Sequence, residues 1–331
     1  MTGPITARLA EFAAHLSLDR IDPAVAARAK LLLLDVIGIA LRARNDAEST
    51  LALLRATGAL GLMAGNATLL GDAATTSFAG AALINGTLAH SLDFDDTHAA
   101  GSIHPSAPIV PAALAAAQMA GASGADVLAG IIAGYEVQIR LSLALVPKDH
   151  YARGFHPTAT CGAFGAAAAA GRVLGLSAAH IAHAFGVCLS QTSGTLEFLA
   201  DGAWTKRFQV GNAAMHGLTA ATLAREGFIG PASPIEGAHG FLNSYAPHPV
   251  FEHAVAGLGE RFETLTIAVK PYPSCRYSHA AMDALIALRA QHDFTIDEIE
   301  AVEIGLPKTG WDIIGQPQAD KQNPKNIVDG Q

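Results

Sequence analysis

Charge is scarce in this chain: Asp, Glu, Lys and Arg make up only 15% of its 331 residues. Aromatic residues are also few, at 6%, so small aliphatic side chains must fill any core. Ala-rich helices with Gly at their contact points meet that need, and Ala is the best helix former. A basic surplus is missing, with 21 Lys and Arg against 29 Asp and Glu and a formal net charge of −8. That excludes a nucleic-acid backbone as partner, because phosphate binding needs a basic surface. The three cysteines, Cys161, Cys188 and Cys275, are scattered and form no CxxC pair. They imply no disulfide framework and fit a reducing cytoplasm, the expected location. Residues 1–18 carry Arg8, Glu11 and His15 in place of the basic-then-apolar layout of a signal peptide. The apolar run 31–41 contains Asp35 and is too short for a bilayer, while 109–135 is broken by Gln118, Asp126 and several glycines. Both read as buried helices of a soluble protein, with no membrane partner. No GxGxxG after a strand, no P-loop and no HExxH occurs, so neither a nucleotide cofactor nor a zincin-type metal is expected.

What is present is helical. Half of the chain is apolar, enough for a sizeable core in one large domain or two ordinary ones. Asp22-Pro23 is a start signal, with Asp as N-cap and Pro at the first helical position of a helix running to about Arg44. A brief strand and turn is expected at 68–72, then helices at 77–90, 106–120, 124–146, 158–174, 177–190 and 210–226, with Ser177 opening one of them. Near residue 260 the texture changes. Residues 262–270 alternate as a strand should, a helix is expected over 277–291, and 299–304 alternate again. The fold class expected is therefore mainly α, with an all-helical domain over 1–261 and a smaller, partial α+β domain over 262–331. Nothing in the polar stretch 320–331 closes that second domain, and a strand–helix–strand unit of about seventy residues is marginal alone.

The few charges cluster. His90-Ser-Leu-Asp93-Phe-Asp95-Asp96-Thr97-His98 places three carboxylates and two imidazoles in nine residues. Such a group is costly to bury unless paired, and sites that move protons tolerate the cost. A divalent metal would want a second acidic cluster, and none is seen, so no metal is expected. Helix caps and salt bridges are the plainer alternative. Gly101-Ser-Ile-His104-Pro105-Ser106 and Gly154-Phe-His156-Pro157-Thr158 each set an imidazole just before a Pro-started helix, where free N–H groups suit a carboxylate ligand. Lys206-Arg207 stand side by side between aromatic and Gly residues; the plain alternative is a solvated surface pair. Lys270, Cys275, Arg276 and His279 cluster at the expected domain junction, a place that favours small-molecule clefts. Cys275 has no triad spacing around it to support a nucleophile.

In this order the elements resemble the MmgE/PrpD family, which includes 2-methylcitrate dehydratase and cis-aconitate decarboxylase. The matching residues are Asn85-Gly86-Thr87 leading into His90–Thr97, His104-Pro105, Gly154-Phe155-His156-Pro157, Lys206-Arg207 with Gly211-Asn212-Ala213, and Lys270-Pro271-Tyr272-Pro273. The resemblance implies a helical domain with a smaller α+β lid, a homodimer, no metal or organic cofactor, and a cleft between the domains lined by Asp93, Thr97, His104, His156, Lys206 and Lys270. Cys275 stands where some members carry a His, with His279 four residues later. Family chains are longer, and the lid is expected to continue past the point where this sequence stops.

The implied activity is a cofactor-independent lyase, 2-methylcitrate dehydratase-like, acting on a small di- or tricarboxylate. Removing a proton beside a carboxylate and expelling water needs a base, an acid and cations for the developing charge. His104 and His156 are the expected base and acid, in either order, since imidazole titrates near neutral pH. Asp93 orients one of them or is itself the base. Lys206 and Lys270 hold substrate carboxylates, with Thr97, Arg207, Cys275, Arg276 and His279 as further binding residues. The alternatives are a decarboxylase or epimerase of the same family, a metal-dependent enzyme using the aspartates, and a non-catalytic paralogue acting as a helical dimerisation or carboxylate-binding module.

Overall fold

The computed structural model describes residues 3–315 and 317–322. It divides into two compact units. One comprises the residues up to Leu196 together with Trp204–Val269; the other comprises Glu197–Ala203 and the residues from Lys270 on. Residues 323–331, most of the polar stretch noted above, lie outside the described residues.

The first unit is helical. In chain order it runs α1 (Ile5–His15), α2 (Pro23–Asp46), α3 (Thr50–Ala59), a two-stranded antiparallel ribbon of β1 (Ala67–Thr68) and β2 (Thr75–Thr76), then α4 (Phe78–Ala89), α5 (Ser106–Ala120), α6 (Gly124–Leu145), α7 (Pro147–Ala152), α8 (Pro157–Val173), α9 (Ala178–Leu189), α10 (Thr205–Arg225) and α11 (Phe241–Tyr245). The local signals operate as their chemistry dictates. Asp22 accepts from the Ala24 N–H with Pro23 in the first turn, and Ser177 accepts from the His180 N–H. Helix α10 begins at Thr205, five residues before the expected start, which places Lys206 and Arg207 on its first turn.

The core is built from alanine and glycine. Helix α8 is buried along almost its whole length, packed against α5, α6, α9 and α10. A helix apolar all round is a core helix. Small residues set the spacing. A Cβ on Gly165 would sit 2.8 Å from the Gly134 carbonyl oxygen of α6, and one on Gly211 of α10 would sit 2.1 Å from Thr87 Oγ1 of α4. Helix α6 is long and apolar enough to cross a membrane, but 94% of its apolar window is buried. It also carries the buried charges Glu136 and Arg140. It is the central helix of a packed unit.

Two expected strands are not formed, and each has a physical reason. In 262–270, Glu263–Thr266 is a turn of 3-10 helix. The buried Glu136 carboxylate accepts from the backbone N–H groups of Glu263 (3.1 Å) and Thr264 (2.9 Å) and from the Thr264 hydroxyl (2.8 Å). Those donors are thereby withdrawn from any ladder. What remains of extended pairing is one antiparallel bridge between Thr97 and Ala268. Residues 299–304 adopt no regular structure and are exposed. A strand is stabilised through its hydrogen-bonded neighbour, and among the described residues none lies beside this segment.

The second unit contains α12 (Arg276–His292), α13 (Lys308–Ile314), α14 (Gln318–Gln322) and 3-10 turns at Glu197–Leu199 and Ile296–Glu298. A reciprocal capping box between Thr295 and Glu298 opens the last of these turns. The expected helix over 277–291 is α12, and no strand occurs in this unit among the described residues.

Candidate active site

The site is built on the loop that joins α4 to α5. Its chain direction reverses through Asp93, whose φ of 50° lies in the left-handed region that Asp enters more readily than most residues. This turn points the Asp93 carboxylate at α10, where Lys206 Nζ donates to Asp93 Oδ1 at 3.0 Å. Asp93 is almost fully buried and Lys206 about four-fifths so, giving the pair little water to screen it.

Three imidazoles gather beside this pair. The His90 and His104 rings meet edge-on with centroids 5.0 Å apart, and the His90 and His156 rings stack at 5.8 Å. Their hydrogen bonds assign the protons. His104 Nδ1–H donates to the Asp96 carbonyl at 2.9 Å, which puts that ring's lone pair on Nε2. His156 Nδ1–H donates to Gln209 Oε1 at 3.1 Å, and Gln209 Nε2 is itself tied to the Thr195 carbonyl at 3.0 Å. The amide therefore has one orientation, and His156 likewise carries its lone pair on Nε2. Burial pushes His156 well below the ordinary imidazole range, and the nearby His90, Lys206 and His104 push the same way; the Gln209 bond opposes them. His156 is thereby held in its neutral form.

Behind the imidazoles lies a carboxylate layer. Asp95 Oδ2 accepts from His90 Nδ1 at 2.7 Å, with both side chains fully buried, and lies 3.6 Å from His104 Nδ1. Asp96 accepts from the Ser106 N–H (3.1 Å) and hydroxyl (2.5 Å), and Ser106 Oγ meets Tyr135 OH at 2.5 Å. Burial pushes Asp96 up to about 7 against the pull of the Ser106 bonds, with the Asp95 and Asp35 carboxylates adding to the rise. Asp35 is raised to about 6, again chiefly by burial. Asp96 also anchors the start of α5, the helix that follows His104 and Pro105.

His90, Asp95 and His104 form a group of donor atoms lying within 4.8 Å of one another. Within that group His90 Nδ1 and Asp95 Oδ2 are joined by a hydrogen bond of 2.7 Å, while His90 Nε2 is buried without a hydrogen-bond partner among the described residues.

Of the residues singled out in the sequence, Asp93, His104, His156 and Lys206 thus come together. Thr97 lies on the same loop with its backbone held by Ala268, and its hydroxyl is buried without a hydrogen-bond partner among the described residues. Arg207 has different hydrogen-bond partners. One position along a helix turns a side chain by about 100°, so Arg207 Nη1 reaches Ser49 Oγ at 3.2 Å and Glu48 Oε2 at 3.6 Å. Its guanidinium braces the α2–α3 connection, and the Asp93 carboxylate lies within its electrostatic reach. In the second unit, Arg276 Nη1 donates to His279 Nδ1 at 3.2 Å, and His279 Nε2 donates to the Ser274 carbonyl at 3.1 Å. Cys275 is the N-cap of α12, and Lys270 opens the unit.

Three members of the site escape sequence reading: His90, Asp95 and Gln209. His90 and Asp95 are visible only as part of an acidic run. Gln209 had a usable signal, since it lies three residues after Lys206 and so on the same face of α10.

With this geometry in place, comparison with known proteins is informative. Residues 7–254 match the MmgE/PrpD N-terminal domain and 272–331 the MmgE/PrpD C-terminal domain. The chain belongs to the MmgE/PrpD family. It is 29% identical over 328 residues to the cis-aconitate decarboxylase-like protein oryM of Aspergillus oryzae, covering 91% of this chain and 65% of that protein. It is 30% identical over 306 residues to the cis-aconitate decarboxylase of Aspergillus terreus, covering 87% of this chain and 61% of that protein. To the human cis-aconitate decarboxylase it is 34% identical over 215 residues, covering 63% and 44%. The chain thus spans less than two thirds of the length of these relatives.

Proposed function

We propose that this chain carries the proton-transfer centre of a lyase acting on a small di- or tricarboxylate. The observation behind this reading is the gathering of His104 and His156, each with its lone pair on Nε2, beside the buried Lys206–Asp93 pair. One imidazole takes the proton from the carbon next to a carboxylate. The electron pair moves into the new C=C bond as the leaving group departs, and the second imidazole, protonated, delivers its proton to the departing hydroxide to form water. Lys206 neutralises carboxylate charge as it builds. The sequence is redox-neutral and calls for no electron carrier.

Two substrates separate the finer readings. Dehydration of 2-methylcitrate would use the two imidazoles as its base and acid. Decarboxylation of cis-aconitate is favoured by the names of the relatives. There the carboxyl group leaves as carbon dioxide, and an imidazole proton goes to the carbon that keeps the electron pair. Lys270, Cys275, Arg276 and His279 belong to the proposal as further carboxylate-binding groups. A homodimer belongs to it too: Leu31, Leu34 and Leu41 are exposed on one side of α2.

The test is to assay both substrates with the full chain and with His156→Ala and Lys206→Ala. Turnover of either, lowered at least about 10²-fold by each substitution, is expected. Turnover that survives both substitutions removes the assigned roles.

A further inference from the structure

His90 has no part in the chemistry above, yet it lies at its centre. Its side chain is fully buried, its ring touches both His104 and His156, and its Nε2 has no hydrogen-bond partner among the described residues. Its Nδ1–H is committed to Asp95 Oδ2, the same oxygen that lies 3.6 Å from His104 Nδ1. One carboxylate oxygen thus stands between two imidazoles, hydrogen-bonded to one and within Coulombic reach of the other.

We propose that His90 is a positioning residue: by holding Asp95 it keeps that carboxylate from pairing directly with His104, and so sets the proton affinity of His104. In the present arrangement His104 Nδ1–H goes to a neutral carbonyl, that of Asp96. Were Asp95 released, its Oδ2 would need to move by less than an ångström to bond the same N–H. A neutral acceptor would be exchanged for an anion, and an anion beside an imidazole raises its proton affinity. A base that must also release its proton works best when its affinity lies near the working pH, and an aspartate pair would move it away.

The other groups around His104 leave this logic intact. Asp96 shares its loop, His156 faces it from the start of α8, Asp35 of α2 acts on Asp95, and the Lys206–Asp93 pair lies beside His156. His90 is the group that donates to Asp95 Oδ2 at 2.7 Å, and that bond aims the oxygen at His90 while it lies 3.6 Å from His104 Nδ1. This inference rests on reading His104 as a proton-carrying group of the proposed lyase.

The test is a histidine titration of the full chain by NMR, with labelled imidazoles and the His104 signal assigned by substitution. His90→Phe keeps the ring volume and removes the donor; the His104 midpoint is expected to rise by about one pH unit. His90→Asn places an amide N–H where Nδ1–H was, and its midpoint is expected to stay near that of the parent. No shift in His90→Phe, or an equal shift in both variants, overturns the proposal. If His90→Phe does not fold, Asp95→Asn supplies the reading: the midpoint falls, and an unchanged midpoint is equally fatal. No substrate is needed, so an inactive parent chain would sink the lyase reading and leave this one to stand or fall separately. With an active parent, the acid limb of kcat/KM moves upward in His90→Phe and not in His90→Asn.

Discussion

Glu136 and Arg140 face each other one turn apart inside α6, Nε to Oε2 at 3.2 Å, with each side chain 1% exposed. Neither depends on the other alone. Arg140 also donates to the carbonyls of Ala256 (2.5 Å) and Arg261 (2.7 Å), while Glu136 takes the donors of Glu263 and Thr264. The pair ties the segment after α11 to the central helix. Glu136→Gln leaves Arg140 a buried cation without its counter-charge, which is expected to cost about 3–5 kcal/mol. The change is read from the urea midpoint, and a loss under about 1 kcal/mol would show that the clamp is dispensable.

Asp96 gives a pH signature. Its carboxyl sits at about 7 in the folded chain against an ordinary value of 3.8, because it is buried. The folded state therefore binds more protons than the unfolded one between about pH 4 and 7, and this group makes stability fall as pH rises through that window. At about 1.4 kcal/mol per pH unit, its ceiling is about 4 kcal/mol. Asp96→Asn keeps an acceptor for the Ser106 N–H and removes the ionisation. Its stability relative to the parent is expected to improve steadily from pH 4 to 7 and then level off, as followed by thermal unfolding. A difference independent of pH would mean that Asp96 is ionised throughout.

Gln209 fixes which nitrogen of His156 carries its proton, and under the proposed lyase reading that leaves Nε2 as the base. Gln209→Leu removes the acceptor for Nδ1–H, and kcat is expected to drop about 10²-fold with little change in KM. Gln209→Glu restores an acceptor as an anion, raises the proton affinity of His156, and moves the optimum to higher pH. Equal activity in all three chains would show that the amide plays no part.

Gly211 lets α10 approach α4. A methyl group there meets Thr87 Oγ1 at 2.1 Å and the Leu83 carbonyl at 2.3 Å. Gly211→Ala is expected to destabilise by about 1–3 kcal/mol or more through overpacking. Gly58→Ala, at an exposed position in α3 where a Cβ would make only an ordinary contact with Met63 Cγ at 3.9 Å, is expected to stabilise by about 0.5–1 kcal/mol. Comparing the two unfolding midpoints separates contact from propensity.

The helices were legible because their signals are local: an Asp-Pro start at 22–23, a Ser cap at 177, Gly-His-Pro before α8. The strand expected over 262–270 was not, since its fate depends on Glu136, more than 120 residues away in sequence. The same division runs through the site. Scarcity of charge made Asp93 and Lys206 conspicuous, and the repeated Gly-His-Pro arrangement marked His104 and His156. Nothing local distinguishes Asp95 from Asp96, one bonded to an imidazole and the other capping α5. Nothing local shows that Lys206 bonds Asp93 while Arg207 bonds Ser49; the early start of α10 decides that.

The bridge between Thr97 and Ala268 carries a practical corollary. Each residue donates its backbone N–H to the other's carbonyl at 2.8 Å, so the Ala268 amide is shielded from solvent only while the histidine-bearing loop is closed down upon it. Its deuterium exchange rate is thus a built-in gauge of that loop's opening, readable at a site two residues before Lys270 and without touching any side chain of the candidate site.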